Sequence, residues 1–212
     1  MVARPQTFWL SLGALSVGFL LWGNVAQAEV PEASISSHFT AKLGNFAVHD
    51  KALKSYGFQP VGSAFQPTWG LRGRLYHESG LIYGGAMTYG FGLTDEDPDN
   101  PVPTTTHLVT MGGLLGYALY GGTAVEAEVG FASQAVTVGS ERQGGALVYL
   151  GPYLHPRLTY TVSPREPFLQ VSLGYYLHVP VGAAHSNPLW EDSFDVPVIH
   201  AGTLSVEIGF AR

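Results

Sequence analysis

The sequence predicts an all-β fold, an antiparallel up-and-down barrel of eight strands with a short helix in its first long loop. Three observations predict it. Apolar and polar residues alternate with a period of two along most of the chain, which is the periodicity of strands. The connections between these stretches are long and short in turn. Charged residues make up only 12% of the chain, about half the usual share of a soluble domain, while 27 of its 212 residues are glycine.

The chain begins with the features of a secretory signal peptide. Arg4 is the only charged residue among the first 28, and residues 8–22 are apolar with only small polar interruptions. Residues 26–28, Ala-Gln-Ala, form a small-residue cleavage site. A membrane helix needs about 20 apolar residues, so this stretch is too short for an anchor. We therefore expect residues 1–28 to be removed, leaving residues 29–212 as one barrel domain.

Composition excludes several classes of protein and site. The chain has no cysteine, so it has neither a disulfide framework nor a thiolate site. Its net charge is −6 and it has no basic patch, which argues against a nucleic-acid partner. No apolar run of membrane-helix length follows the signal peptide, which argues against a helical membrane protein. No motif predicts a cofactor.

Eight stretches have the periodicity of strands, and they are separated by glycine- or proline-containing breaks. Glycine supplies positive φ in tight turns, and proline removes a donor from the ladder. The predicted strands are Ile35–Leu43, Thr68–His77, Leu81–Leu93, Thr106–Tyr120, Thr123–Val138, Ala146–Val162, Phe168–Val179 and Ile199–Phe210.

The second and third strands separate their side chains clearly into two faces. The second sets Trp69, Leu71 and Leu75 against Arg72 and Arg74. In the third strand, aromatic and aliphatic residues occupy one face, and glycine, alanine and threonine occupy the other. Each strand therefore has one wholly apolar face.

The next three strands are less uniform. Leu108 and Leu114 interrupt the polar face of the fourth strand. The fifth is regular, with valines and a phenylalanine opposite two glutamates. Pro152 and Pro156 lie within the sixth, and a proline inside a closed ladder is expected to require a bulge.

The last two strands restore the strict alternation. In the seventh strand, leucines, a valine and a tyrosine oppose glutamine, serine, glycine, tyrosine and histidine. In the eighth, Leu204, Val206, Ile208 and Phe210 share one face, and Glu207 lies on the other. We expect this strand to close the barrel.

The order of the connections indicates on which side each one lies. The long connections are Gly44–Pro67, Thr94–Thr105 and Pro180–Pro197, and Gly139–Gly145 is of moderate length. In an up-and-down barrel with both termini on one side, all four lie at the opposite end. Bacterial outer-membrane barrels combine short periplasmic turns with longer external loops, and a soluble sandwich has no reason for so regular an order.

Two features indicate that the apolar face points outward into lipid. One is the signal peptide, and the other is a polar face rich in glycine and alanine with only single charges. Aromatic residues also recur near strand ends, as interfacial girdles require. They are Trp69, Tyr89, Phe91, Tyr120, Tyr160, Phe168 and Phe210.

On these residues the chain from position 29 onward resembles the small eight-stranded outer-membrane β-barrels of Gram-negative bacteria. The signal peptide, the alternation and the closing segment 204–210 carry the resemblance. In that class a terminal aromatic strand resembles the signal read by the barrel-insertion machinery, although here Ala211 and Arg212 follow the aromatic residue. The resemblance implies a monomer in the outer membrane with external loops and periplasmic termini. Its partners would be outer-membrane lipids, lipopolysaccharide and, during biogenesis, that machinery.

If the apolar face is outside, the other face fills a lumen that in eight-stranded barrels is only wide enough for side chains. Four cations would meet three carboxylates there and should form pairs, since an unpaired charge away from water is costly. We interpret this network as a rigid polar plug, and the alternative is a path for protons or small ions. The predicted lumen residues are Lys42, Arg72, Arg74, Glu126, Glu128, Tyr149, Tyr153, His155, Arg157, Gln170, Tyr176, His178 and Glu207.

One acidic loop is a weak candidate for a metal site. Asp95, Asp97 and Asp99 occupy alternate positions, as carboxylates do in calcium loops. The segment lacks the glycine of the sixth position, and its twelfth position is Thr106 and not glutamate, so the pattern argues against an EF-hand. A calcium site bridging lipopolysaccharide phosphates remains an alternative to a solvated loop tip.

At two places a serine lies close to a histidine in the sequence. Both are candidate hydrolase sites, because a nucleophilic serine needs a base within hydrogen-bond reach. Small outer-membrane barrels include lipid A deacylases. In these enzymes one residue separates the histidine from the serine on a strand, so both side chains face the same side. His185 and Ser186 are adjacent, so on a strand they would face opposite ways. His77 and Ser79 lie in a turn on the periplasmic side. We therefore predict no catalytic residue.

The first long loop contains the predicted helix, which Asp50 can cap and Gly57 can end. Such a helix would cover the barrel mouth or serve surface recognition.

The predicted function is a non-enzymatic outer-membrane barrel with a structural or surface-interaction role. The alternatives are a lipid A-modifying acyl hydrolase, a small-solute channel and a soluble lipocalin-like binder. Lipid A mass analysis, conductance and membrane fractionation distinguish them.

Overall fold

Among the residues that the computed structural model describes, nine strands form one antiparallel sheet that closes on itself. The structure describes residues 31–44, 65–93, 104–138, 145–186 and 198–212. The strands are β1 (Ala33–Gly44), β2 (Phe65–Tyr76), β3 (Leu81–Leu93), β4 (Thr104–Ala118), β5 (Thr123–Val138), β6 (Gly145–Ser163), β7 (Phe168–His178), β8 (Gly182–His185) and β9 (Ile199–Ala211).

The sheet closes because every long strand pairs with two neighbours. Strands β1 to β7 pair in chain order, β7 pairs with β9, and β9 pairs with β1. The short β8 pairs with residues 147–150 of β6, where it continues the line of β7. The architecture is therefore a closed eight-stranded barrel, as predicted, in which one strand is interrupted.

Strand β8 corrects the prediction that residues 180–197 are entirely loop. Its four residues pair with β6 from Leu147↔His185 to Leu150↔Gly182. The segment is too short, and too rich in glycine and alanine, to have an alternating pattern. The predicted helix at residues 50–57 and the signal peptide at residues 1–28 lie outside the described residues. In the part of the chain described, no helix has the length and apolarity to cross a membrane.

Short turns, the start of β1 and the end of β9 lie at one end of the barrel, which we call the turn end, and the opposite end is the loop end. Gly121 and Gly122 join β4 to β5 with φ values of 69° and 78°, a region that favours glycine. Ala33 and Arg212 exchange backbone hydrogen bonds of 3.1 and 2.9 Å, which joins the first strand to the last. Closure thus leaves no free edge between the chain ends.

The prediction that the prolines of β6 require a bulge holds at Pro152 and fails at Pro156. Pro152 and Pro156 point outward, and β6 keeps one register with β5 past both residues. The carbonyl of Pro152 accepts a hydrogen bond from the Val179 amide on the β7 side, which is also the side of its missing N–H. The ladder to β7 keeps its register past Pro156, but past Pro152 the register shifts by one residue, from Tyr153↔His178 to Leu150↔Gly182 in β8. A second register shift lies between Thr161 and Ser163.

The faces of the strands have the predicted polarity. Leu173 and Val206 are 52% and 47% exposed, whereas Arg72, Glu126 and Glu128 are 1–3% exposed. Long aliphatic and aromatic side chains cover the outside of the barrel, and polar side chains fill its inside. A water-soluble barrel has the opposite arrangement, so this outer surface is suited to hydrocarbon.

Candidate functional site

Six charged side chains meet in the lumen because the two-residue period places them all on inward faces. Arg72 and Arg74 come from β2, Glu126 and Glu128 from β5, Arg157 from β6 and Glu207 from β9. All six are at most 4% exposed. We call these residues the lumen hexad.

Glu207 joins the two arginines of β2. Its Oε1 accepts a hydrogen bond from Nη1 of Arg72, and its Oε2 accepts one of 2.8 Å from Nη1 of Arg74. Oε2 accepts a further hydrogen bond of 3.0 Å from the Ser36 hydroxyl. Glu207 lies on the last strand, and it reaches β2 across β1, the strand between them.

The two glutamates of β5 complete the network from the other side of the lumen. Glu126 accepts from Nε of Arg74 at 2.8 Å and from Nη2 of Arg157, its cross-strand neighbour, at 2.8 Å. Glu128 lies 2.5 Å from Nη2 of Arg72 and 2.6 Å from Nη1 of Arg157. Each arginine therefore contacts two glutamates, and each glutamate contacts two arginines. Three positive and three negative charges make the hexad neutral, which is what burial of ionic groups requires.

Neutral polar groups extend this network toward the loop end. His155 Nδ1 lies 3.6 Å from Glu128 Oε2, and its Nε2 shares a hydrogen bond of 2.9 Å with the Thr203 hydroxyl. On β1, His38 pairs with Thr88 at 3.0 Å and Thr40 with Ser205 at 2.7 Å. These contacts join β1 to β3 and β9, and β6 to β9, across the lumen.

The sequence analysis missed several of these lumen groups. Ser36, His38 and Thr40 share the inward face of β1 with Lys42, which had been included. Extending the same two-residue period backward from Lys42 would have found them. All thirteen predicted lumen residues are buried in the structure.

Apolar side chains close the lumen on both sides of the hexad. Toward the turn end Ile82, Leu114 and Ala124 pack together, with Tyr76 and Ala118 against them. Toward the loop end a second cluster contains Leu108, Ala132, Tyr153, Tyr176, Ile199 and Ala201. Leu108 and Leu114, which interrupted the sequence pattern, thus belong to these two apolar layers.

Between these layers the described residues enclose little free space. A cavity of about 10 Å³ lies beside Arg72, Glu128 and Tyr176. A volume of roughly this size accommodates one water molecule. At the level of the hexad, charged and polar side chains therefore fill the lumen.

The structure brings together no catalytic group at the serines considered. Ser186 Oγ accepts a hydrogen bond of 2.9 Å from the Ala146 amide, and the His185 side chain lies outside what the structure describes. His77 Nδ1 and Ser79 Oγ are 2.9 Å apart in an exposed turn, where the Ser79 amide also bonds to the histidine. This contact is local turn geometry, and no carboxylate orients the imidazole among the described residues.

No group of three histidine, aspartate or glutamate side chains in the described ranges is arranged to hold a metal ion. The weak calcium candidates Asp95, Asp97 and Asp99 lie outside those ranges. Calcium binding by that loop stays a prediction.

Aromatic and histidine side chains pair on the outside of the barrel near the loop end. Tyr89 lies 6.1 Å from Trp69 between ring centroids, and its hydroxyl shares a hydrogen bond of 2.8 Å with His107 Nδ1. On the other side, Tyr175 and His200 form the same pair at 2.9 Å. Such amphipathic rings are typical of the boundary between hydrocarbon and headgroups.

Comparison with known proteins supports the fold. The structure of Ail, the attachment invasion locus protein of Yersinia pestis, in complex with the heparin analogue sucrose octasulfate, is similar to this chain with a TM-score of 0.56. Identity is 10%, and the match covers 86% of this chain and 99% of that chain. At this identity the likeness concerns the fold alone, that of a small eight-stranded outer-membrane barrel.

Two further structures are similar at lower scores. Neisserial surface protein A gives a TM-score of 0.49 at 11% identity, covering 84% of this chain and 96% of that chain. The N-terminal β-barrel domain of Pseudomonas aeruginosa OprF gives 0.46 at 14% identity, covering 85% and 98%. No protein-family model and no curated protein sequence matches the chain.

Proposed function

We propose that this chain is a non-enzymatic protein of the bacterial outer membrane, with a structural or surface-interaction role and an occluded lumen. The observation that carries the proposal is the pairing of an apolar exterior with the neutral lumen hexad. An exterior of this kind is stable in lipid, and the hexad fills the interior without leaving a path for solutes. Its surroundings are outer-membrane lipids and lipopolysaccharide, and the barrel-insertion machinery acts on it during biogenesis.

The proposal predicts that the protein does not conduct ions in planar bilayers. The hexad and the two apolar layers leave room for about one water molecule, so no hydrated ion can pass. The measurement is single-channel recording of the purified, refolded protein at both polarities. A stable open pore would contradict the occluded lumen and favour the small-solute channel, whereas absence from outer-membrane fractions would favour the soluble binder.

The proposed orientation places the turn end and both termini in the periplasm and the four long connections outside. It predicts that protease added to whole cells cleaves within residues 45–64, 94–103, 139–144 or 187–197. The turns at residues 77–80 and 164–167 should be cut only after the outer membrane is opened. A periplasmic protein processed in parallel is the control. Cleavage at those turns in intact cells would reverse the orientation.

A surface-interaction role would reside in these four connections, because the described exterior of the barrel is apolar and suited to lipid. An acyl hydrolase is the less favoured alternative. Its chemistry requires a serine and its base on one face, and the contacts of Ser186 and Ser79 do not supply that arrangement.

A further inference from the structure

Lys42 is a buried cation that the lumen hexad does not neutralise. It lies on β1, between the hexad and the loop end, and is 3% exposed. Its Nζ lies 3.6 Å from the centroid of the Tyr176 ring. In the part of the chain that the structure describes, no carboxylate lies within ion-pair distance of this ammonium.

The charge balance of the lumen makes Lys42 unusual. The hexad is neutral, so among the described lumen residues Lys42 is the surplus positive charge when the histidines are neutral. A cation–π contact offsets part of the cost of burying an ammonium, but it supplies no negative charge. Burial of an uncompensated charge is unfavourable, which favours capture of a counterion.

A cavity suited to such a counterion lies beside Lys42. Lys42, Tyr176, His38 and Arg72 line the cavity of about 10 Å³, together with the side chain of Thr68. His38 Nδ1 and the Tyr176 hydroxyl are buried and have no hydrogen-bond partner among the described residues. The cavity therefore combines a cation, a phenol donor and an imidazole in a space of about one water molecule.

We propose that this cavity is a binding site for a single halide anion, held by the Lys42 ammonium. A monovalent anion brings the buried charge of the described lumen to zero. The small volume favours a monatomic ion over phosphate, sulfate or a carboxylate. Glu128 also lines the cavity, but its carboxylate is already paired with Arg72 and Arg157, so it does not neutralise Lys42.

The first test measures the thermal unfolding of the mature protein in detergent while sodium gluconate is replaced by sodium bromide at constant ionic strength. We expect a saturable increase in Tm of about 2–4 °C, because an ion that binds only the folded state stabilises it. Lys42→Met keeps an unbranched side chain one atom shorter and removes its charge, so it should abolish the bromide response. Arg165→Gln, at an exposed position in the β6–β7 turn, should retain it.

Equal bromide responses in the wild type and Lys42→Met, or no saturable response in the wild type, would overturn the proposal. The second test does not depend on folding of the variant. Crystals of the wild-type protein soaked in bromide should give an anomalous peak inside the cavity, in contact with Lys42 Nζ. A cavity that contains only water in those crystals would refute the halide site.

Discussion

Replacing Glu207 with alanine should lower the free energy of unfolding by about 3–5 kcal/mol, the cost of leaving buried charges without their partner. Glu207 is fully buried and bonds to Arg72, Arg74 and Ser36. Its removal leaves three guanidinium groups facing two carboxylates in a space closed by apolar layers. The measurement is urea unfolding of the refolded barrel in lipid vesicles.

Two variants distinguish the charge effect from a loss of packing. Glu78→Ala removes a carboxylate from an exposed turn and should change stability by no more than about 0.5 kcal/mol. Glu207→Gln with Arg74→Met removes one charge of each sign and leaves four paired groups. The double variant should therefore lose less stability than the sum of its single variants. Strictly additive losses would show that the hexad is not an electrostatic unit.

The division of each strand into two faces was predictable from the sequence, because a period of two is a local property. Leu204, Val206 and Ile208 reveal their shared face without any knowledge of the neighbouring strands. Which face points inward does not follow from periodicity. That assignment depended on the signal peptide and on a polar face rich in glycine and alanine with only single charges. The exposure of Val206 and the burial of Glu207 confirm it.

The partners within the hexad were not predictable, because they depend on register and on distances across the lumen. Glu126 and Arg157 are cross-strand neighbours, but Glu126 also contacts Arg74, which lies on a strand that does not pair with β5. The sequence shows that the inward faces contain nearly equal numbers of positive and negative side chains. Which arginine pairs with which glutamate depends on how the strands close into a barrel.

Irregular elements were the hardest to predict for the same physical reason. Pro152 is tolerated because the adjoining strand is interrupted at Val179, and strand β8 resumes after that interruption. A local pattern contains no information about the state of a neighbouring strand that is distant in the chain. Leu108 and Leu114 interrupt the polar face of β4 because each belongs to an apolar layer of the lumen, and a local pattern does not reveal such layers.

Arginine at position 206 should destabilise the barrel by about 2–4 kcal/mol, whereas arginine at position 125 should cost only about 0–1 kcal/mol. The two valines are 47% and 45% exposed on the outer surface, so they differ little in burial against the protein. Val206 lies near the middle of β9. Val125 is the third residue of β5 and faces Tyr117 near the turn end, where aromatic residues mark the expected boundary of the hydrocarbon.

The difference between these two variants tests the membrane assignment directly, because it depends on depth in the bilayer and not on packing. A lysine or arginine near the interface can extend its charge into the headgroups, but one at mid-height must bring the charge into hydrocarbon. Urea unfolding of Val206→Arg and Val125→Arg in the same lipid vesicles measures both values. In a water-exposed barrel neither arginine would be desolvated, so both changes would be small and nearly equal. That result would reject a lipid-facing exterior even if the fold itself were unchanged.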